Sequence, residues 1–210
     1  MRRGALVTGL TMLAFAWAIA AGPYAVTGHM LAHMVAVAVA APLMAFGIAG
    51  TRSDPSIRLP HVVTPLPMSL LDMFVVWGWH APAARAFADS SAVGLIIEQA
   101  MFLVAGLLLW SACISAFDGR GARRAVGVIA LLLTSMHMTL LGVLVTLAPR
   151  TLFGTAGFTC LGQSFSPLAD QQLGGVIMLL VGAGSYLVGG LWILSRVMWG
   201  QQDASARQWS

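Results

Sequence analysis

Two histidines and two methionines form the most distinctive set of potential ligands in the sequence, within the segment 28–34 that reads GHMLAHM. Each pair is spaced by four residues, as His29 with His33 and Met30 with Met34. In a helix with about 100° per residue, the histidines lie at about 0° and 40° and the methionines at about 100° and 140°. One side of the helix would then carry nitrogen and sulfur donors, a combination that favours copper, especially Cu(I), over zinc, calcium or magnesium.

Further polar residues lie in apolar stretches, at predicted depths that range from the outer surface to near the midplane. A rise of about 1.5 Å per residue places them in the outer half of the membrane, on several helices. Ionisable side chains within a membrane are costly, so they usually face the protein interior and pair with one another. One interpretation is a polar network that joins the helices without a metal. The other is a metal site, for which the candidate ligands are His29, Met30, His33, Met34, His80, Glu98, His137 and Met178.

Two carboxylates are predicted to support this site rather than to bind the metal. Asp72 precedes His80 on the same predicted helix by eight residues, or about two turns. Asp170 stands directly before the last predicted helix, where a carboxylate accepts hydrogen bonds from free backbone amides. We therefore expect Asp170 to cap that helix and to fix the axial position of Met178.

The elements that must position these residues are membrane-spanning helices. The chain has 210 residues, of which 59% are hydrophobic and 9% charged, with a mean hydropathy of +0.86. A soluble domain has about a quarter charged residues, and a spanning helix needs about 20 apolar residues. We predict an all-α, polytopic helix bundle forming a single transmembrane domain over residues 1–210. Its six expected spans cover residues 4–22, 29–50, 60–80, 91–113, 125–147 and 171–196.

The basic residues predict the orientation of the chain in the membrane. All eleven are arginines, and nine of them fall on one side of the predicted bundle, against Arg85 and Arg150 on the other. Because cytoplasmic loops are enriched in basic residues, both termini are expected in the cytoplasm and the candidate ligands near the outer surface. The first apolar stretch also has a small-residue pattern at 18–20 that is typical of a signal peptide, although an uncleaved first helix is favoured.

Several classes of function are disfavoured by the sequence. The arginines mark membrane orientation, so a nucleic-acid partner is not expected. No nucleophile–base pair or phosphate-binding loop is evident, which argues against an enzyme. The two cysteines, Cys113 and Cys160, are predicted to lie on opposite sides of the membrane, so they cannot form a disulfide or a thiolate metal site together.

Together, several motifs resemble those of the CtaG-type cytochrome c oxidase assembly factors, a family of bacterial membrane proteins. The similarity extends over about residues 29–190. The chain differs at Gln99, where the family commonly has a histidine after the glutamate. The matching pieces are His29-Met30-x-x-His33-Met34, Ala41-Pro42-Leu43, residues 77–83 (WGWHAPA), Glu98 ahead of Leu109-Trp110, Leu141-Gly142, Ala148-Pro149-Arg150 and residues 167–178 (PLADQQLGGVIM).

This resemblance implies a multi-pass protein of the bacterial inner membrane that helps a haem-copper oxidase to acquire copper. Its partners would be cytochrome c oxidase subunits, the lipid bilayer and a periplasmic copper chaperone. The motif positions it assigns to this chain are His29, His33, His80, Glu98, Asp170 and Met178.

Three alternative functions stay open at this stage. A haem- or quinone-binding redox protein would need two histidines at similar depth on facing helices. A copper permease would need donors in both halves of the bundle, whereas the inner half offers His61, Met44 and Cys113. A structural scaffold would bind the oxidase without a metal.

Overall fold

The computed structural model describes residues 1–22, 25–117, 122–153, 159–160 and 163–208, and most of them are helical. Two short elements lie between the long helices, α3 (Pro55–Arg58) and α5 (Pro82–Ser90). A two-residue strand β1 (Thr159–Cys160) pairs antiparallel with β2 (Gln163–Ser164). The long helices are α1 (Arg2–Ala20), α2 (25–48), α4 (Pro65–Trp79), α6 (Ala92–Phe117), α7 (Ala122–Leu147) and α8 (167–208).

The predicted all-α, polytopic bundle is confirmed. Five helices of the described chain are long and apolar enough to cross a membrane, and they correspond to five of the six predicted spans. They cover Arg2–Ala20, Val26–Ile48, Ala92–Ala116, Ala122–Leu147 and Pro167–Ser195.

The predicted span 60–80 was too long, and the predicted start of the last helix was too late. Helix α4 has 15 residues, because residues 60–64 before it are not helical and Pro65 begins the helix after an extended Thr64. Proline suits this first helical position, where its missing N–H is not needed. In the same way Pro167 begins α8, four residues before the predicted start at 171, and the side chain of Ser166 accepts a hydrogen bond from the amide of Ala169.

Two of the long helices contain a wider π-helical turn near the middle of the bundle, at Ala36–Ala40 in α2 and at Met178–Ala183 in α8. Side chains from other helices bond to carbonyl groups in both turns. In the α2 turn, the indole of Trp110 donates to Val37 O (3.2 Å) and the hydroxyl of Ser185 to Ala38 O (2.7 Å). In the α8 turn, the hydroxyl of Ser135 donates to Ala183 O (2.9 Å). Backbone groups that lose their regular helical partner within a membrane need such replacements.

Glycines set the closest helix contacts. A Cβ atom on Gly175 of α8 would lie 2.8 Å from the backbone nitrogen of Thr146 and 3.0 Å from the carbonyl oxygen of Gly142, both on α7. A Cβ on Gly47 of α2 would likewise lie 2.9 Å from Cα of Leu6 on α1. Small residues at such crossings let helix backbones approach closely, as is common in membranes.

Candidate metal site at the outer end of the bundle

His33 of α2 and His80, the residue that follows α4, are neighbours in the structure. Their ring centroids lie 5.3 Å apart, and both side chains are buried. In each, Nδ1 bonds to the carbonyl oxygen four residues earlier, at 3.0 Å to His29 O and at 2.7 Å to Val76 O. A carbonyl only accepts, so both Nδ1 atoms carry the proton, and each Nε2 has a free lone pair.

The Nε2 atoms of these two histidines are buried and have no hydrogen-bond partner. Burial away from water disfavours the charged form of an imidazole, so both rings are expected to be neutral. Phe102 of α6 stacks on the His33 ring with centroids 4.7 Å apart and holds it in place. Buried imidazoles oriented by a backbone carbonyl, with the other nitrogen free, are in the state that binds metals.

A second group of polar residues lies beside this pair. Nε2 of His29 is 3.2 Å from Oε1 of the buried Glu98. Nη1 of Arg85 lies 3.1 Å and 3.0 Å from the two oxygens of Glu98, and 2.8 Å from each ring nitrogen of His29. The His29 ring is 5.2 Å from the His33 ring, so the two groups adjoin. A ring that donates from Nε2 to Glu98 and accepts from Arg85 at Nδ1 satisfies all three side chains.

The short helix α5 positions Arg85 over the end of the bundle at which α2 begins, which the arginine distribution predicts to be the outer end. It begins at Pro82, directly after His80 and Ala81, and it carries Arg85 and, one turn later, the exposed Asp89. These two residues are four apart and form an ion pair through Nη2. The guanidinium is therefore held between the solvent-facing Asp89 and the buried Glu98.

The predicted role of Asp170 was wrong in one respect, since this residue does not cap its own helix. Ser166 caps α8, whereas the carboxylate of Asp170 accepts hydrogen bonds from the amides of Val26 and Thr27, each at 2.9 Å. These amides belong to the first turn of α2, and the Thr27 hydroxyl bonds back to Asp170 O at 2.9 Å. Asp170 thus fixes the start of the helix that carries His29.

The methionines of segment 28–34 face a different neighbour from the histidines. A Cβ atom on Gly174 of α8 would lie 2.8 Å from Cγ of Met30, and one on Gly182 would lie 2.7 Å from Sδ of Met34. Met178 is buried in the same apolar core. Helical positions about 100° apart are enough to direct the two pairs toward different helices. The metal-binding role of Met30, Met34 and Met178 therefore stays a prediction.

Asp72 and His137 form a separate pair between α4 and α7. Nε2 of His137 lies 3.7 Å from Oδ2 of Asp72, and both residues are buried. Asp72 precedes His80 by eight residues, about 12 Å along a helix axis. Asp72 and His137 thus pair with each other, whereas Glu98 contacts Arg85 and His29. The proposed ligand role of His137 stays a prediction.

No group of three or more His, Cys, Asp or Glu side chains within the described ranges is arranged to hold one metal ion. The arrangement at the outer end is instead a pair of free imidazole nitrogens next to a paired carboxylate. Cys113 is buried and free, and the side chain of Cys160 lies outside the described residues.

The sequence did not assign a role to three residues that shape this end of the bundle. Arg85 pairs with Glu98, Phe102 stacks on His33, and Gln171 accepts from the amide of Leu152 (2.6 Å) and donates to Val145 O (3.3 Å). The position of Arg85 could have indicated this role, because it is one of only two arginines on the predicted outer side. A buried glutamate on the same side needs such a counter-ion.

Comparison with known proteins identifies one family. The family model described as cytochrome c oxidase caa3 assembly factor (Caa3_CtaG) matches residues 1–199. Among curated proteins and among solved structures there is no significant match.

Proposed function

Because the chain belongs to the cytochrome c oxidase caa3 assembly factor family, we propose that it binds Cu(I) at His33 and His80 and passes it to the oxidase during assembly. The observation that supports this most directly is the pair of buried, unpartnered Nε2 atoms on adjacent rings. Leaving buried polar atoms without partners costs free energy, so such atoms point to a ligand. Two neutral imidazoles suit Cu(I), which accepts low coordination numbers, better than Zn²⁺, which usually takes four ligands.

The proposed role is not enzymatic. Copper would be the cargo, and its transfer needs ligand exchange between this site and the oxidase rather than bond chemistry. The site is close to the outer end of the bundle, below α5, so an incoming donor or the oxidase would reach it from that side. A periplasmic copper chaperone as the donor, and the thioethers of Met30, Met34 and Met178 as further ligands, belong to this proposal as predictions.

The test is Cu(I) binding by the purified full-length protein. Replacing His33 and His80 together by alanine should abolish stoichiometric Cu(I) binding, because both free nitrogens are removed. The control is His61→Ala, which removes an exposed histidine elsewhere in the chain and should leave the copper content unchanged. In a strain lacking the natural protein, the double variant should fail to restore oxidase activity while the control restores it. Unchanged copper content in the double variant would contradict the proposal.

A further inference from the structure

The carboxylate at the candidate site is already neutralised by a side chain. Both oxygens of Glu98 lie within 3.1 Å of Nη1 of Arg85, and Nη2 of the same guanidinium pairs with Asp89. Glu98 is fully buried, so separating it from Arg85 would leave a charge without a partner in the interior, which costs several kcal/mol. The guanidinium is thus a fixed part of the site.

We propose that Arg85 determines the metal specificity of the site by withholding the carboxylate of Glu98 from divalent ions. The inference rests on the proposed function and extends it, since it concerns which metal ions the same site rejects. Arg85 does not bind the metal in this account. It acts through Glu98 and through its own charge.

The first reason is the ligand set. Histidines together with one carboxylate are a typical set for Zn²⁺, and carboxylate oxygens also suit other divalent ions. Glu98 lies 3.2 Å from His29, whose ring adjoins that of His33, so a free Glu98 would complete such a set. With Nη1 of Arg85 bonded to Glu98 and 2.8 Å from the His29 ring nitrogens, the free donors that remain are the neutral imidazoles of His33 and His80.

The second reason is charge. In the buried part of the site the charges of Arg85 and Glu98 cancel and the histidines are neutral, while the second carboxylate on Arg85, that of Asp89, is exposed and screened by solvent. An incoming ion therefore meets no net negative charge in the interior. A buried ion without a counter-charge is costly, and the cost rises with its charge. Without the guanidinium the negative charge of Glu98 would be uncompensated, and its attraction would be twice as large for Zn²⁺ as for Cu(I). In terms of dissociation constants, the electrostatic gain for Zn²⁺ would be about the square of the gain for Cu(I).

The experiment compares Zn²⁺ alone with Cu(I) alone on the full-length protein in detergent. The variant Arg85→Gln removes the positive charge and releases Glu98, so the Kd for Zn²⁺ should fall by about tenfold or more, with a smaller change for Cu(I). Arg150→Gln is the matched control, because it removes another arginine of the outer end, which is exposed. It should change neither constant. Arg85→Lys, which keeps the charge, should leave the rejection of Zn²⁺ largely in place.

A second variant pair tests whether the gain in zinc binding depends on Glu98. Adding Glu98→Gln to Arg85→Gln should remove the gain, because the released ligand is then absent. Arg85→Met repeats the removal of the charge with an apolar side chain of similar length, in case the glutamine variant does not fold. Loss of the folded protein in both variants would overturn the proposal, since it would assign Arg85 a structural role instead.

The outcomes for this inference and for copper delivery are separable. An unchanged Kd for Zn²⁺ in Arg85→Gln, or a gain that persists without Glu98, overturns the specificity role. Absence of Cu(I) binding by the natural protein overturns the proposed function, whereas the zinc measurement on Arg85→Gln does not depend on that result.

Discussion

At the scale of single residues, Asp170 connects two helices that are far apart in the chain. Its carboxylate uses one oxygen for the amide of Val26 and the other for that of Thr27. Negative charge at a helix N-terminus is favoured by the helix dipole as well as by these bonds. Since α2 carries His29 and His33 within its next two turns, the start of α2 and the ligand positions move together. Asp170 therefore supports the site without belonging to its ligands.

The Asp170 variants should separate hydrogen bonding from charge. Asp170→Asn keeps one accepting oxygen and presents an N–H group to the other amide, so we expect a stability loss of about 1 kcal/mol. Asp170→Ala leaves both amides without the carboxylate and should cost about 1 to 3 kcal/mol. Both should weaken Cu(I) binding, the alanine variant more. The measurements are the thermal unfolding midpoint in detergent and the Kd for Cu(I).

The control for Asp170 is Ser166, which caps helix α8 itself. Ser166 is exposed and bonds one amide of its own helix, Ala169 N, at 3.2 Å. Ser166→Ala should cost about 1 kcal/mol or less and leave the Kd for Cu(I) unchanged. If Asp170→Asn loses copper as completely as the His33 and His80 double variant, the carboxylate is a ligand and the capping account is wrong.

At the scale of the elements, apolar runs predicted the helices well and their local interruptions poorly. Five spans agree because about 20 apolar residues have few alternatives in a membrane. The segment 60–64 adds only Val62 and Val63 to the apolar run, and the prolines at 60, 65 and 67 delay the helix to Pro65. The π-helical turns could not be predicted from the sequence pattern. They depend on partners such as Trp110 and Ser185, whose positions follow from tertiary packing.

The crossing of α7 and α8 provides a test of element packing. In Gly175→Ala the new Cβ would lie 2.8 Å from the backbone nitrogen of Thr146, which no side-chain rotation relieves. The helices must move apart, and we expect a loss of about 1 to 3 kcal/mol in the free energy of unfolding. Gly184→Ala in the same helix meets no atom within 4 Å and should be neutral or slightly stabilising. Equal effects of the two variants on the unfolding midpoint would contradict the close contact between the backbones of α7 and α8 at Gly175.

At the scale of the whole molecule, the sequence predicted which residues lie at the outer end but not which of them meet. Depth follows from counting residues along a helix, so His29, His33, His80 and Glu98 were all assigned to the outer half of the membrane. Contacts depend on how each helix is rotated and which helices are neighbours. That is why Met30 and Met34 face α8, Asp72 pairs with His137, and Asp170 reaches α2. The pairing of Arg85 with Glu98 likewise requires the position of α5 above α6.

The last prediction concerns the orientation of the bundle, on which access to the site depends. The arginine distribution of nine against two predicts cytoplasmic termini. Arg2 donates to Ala49 O at 2.7 Å, so the start of α1 and the end of α2 lie at the same end of the bundle, opposite the start of α2 near His29. We expect an engineered cysteine at position 205 to be unreactive toward a membrane-impermeant maleimide in intact cells, and to react after permeabilisation.

The labelling is done in a Cys160→Ser background, with Cys113 retained because it is buried. Ala83→Cys serves as the matched outer position, since it is exposed on α5 close to Arg85, and it should react in intact cells. Reaction at position 205 combined with protection at position 83 would show that the orientation of the bundle is the reverse of the predicted one. The free nitrogens of His33 and His80 would then be near the cytoplasm, and delivery of copper from the outer side would be excluded.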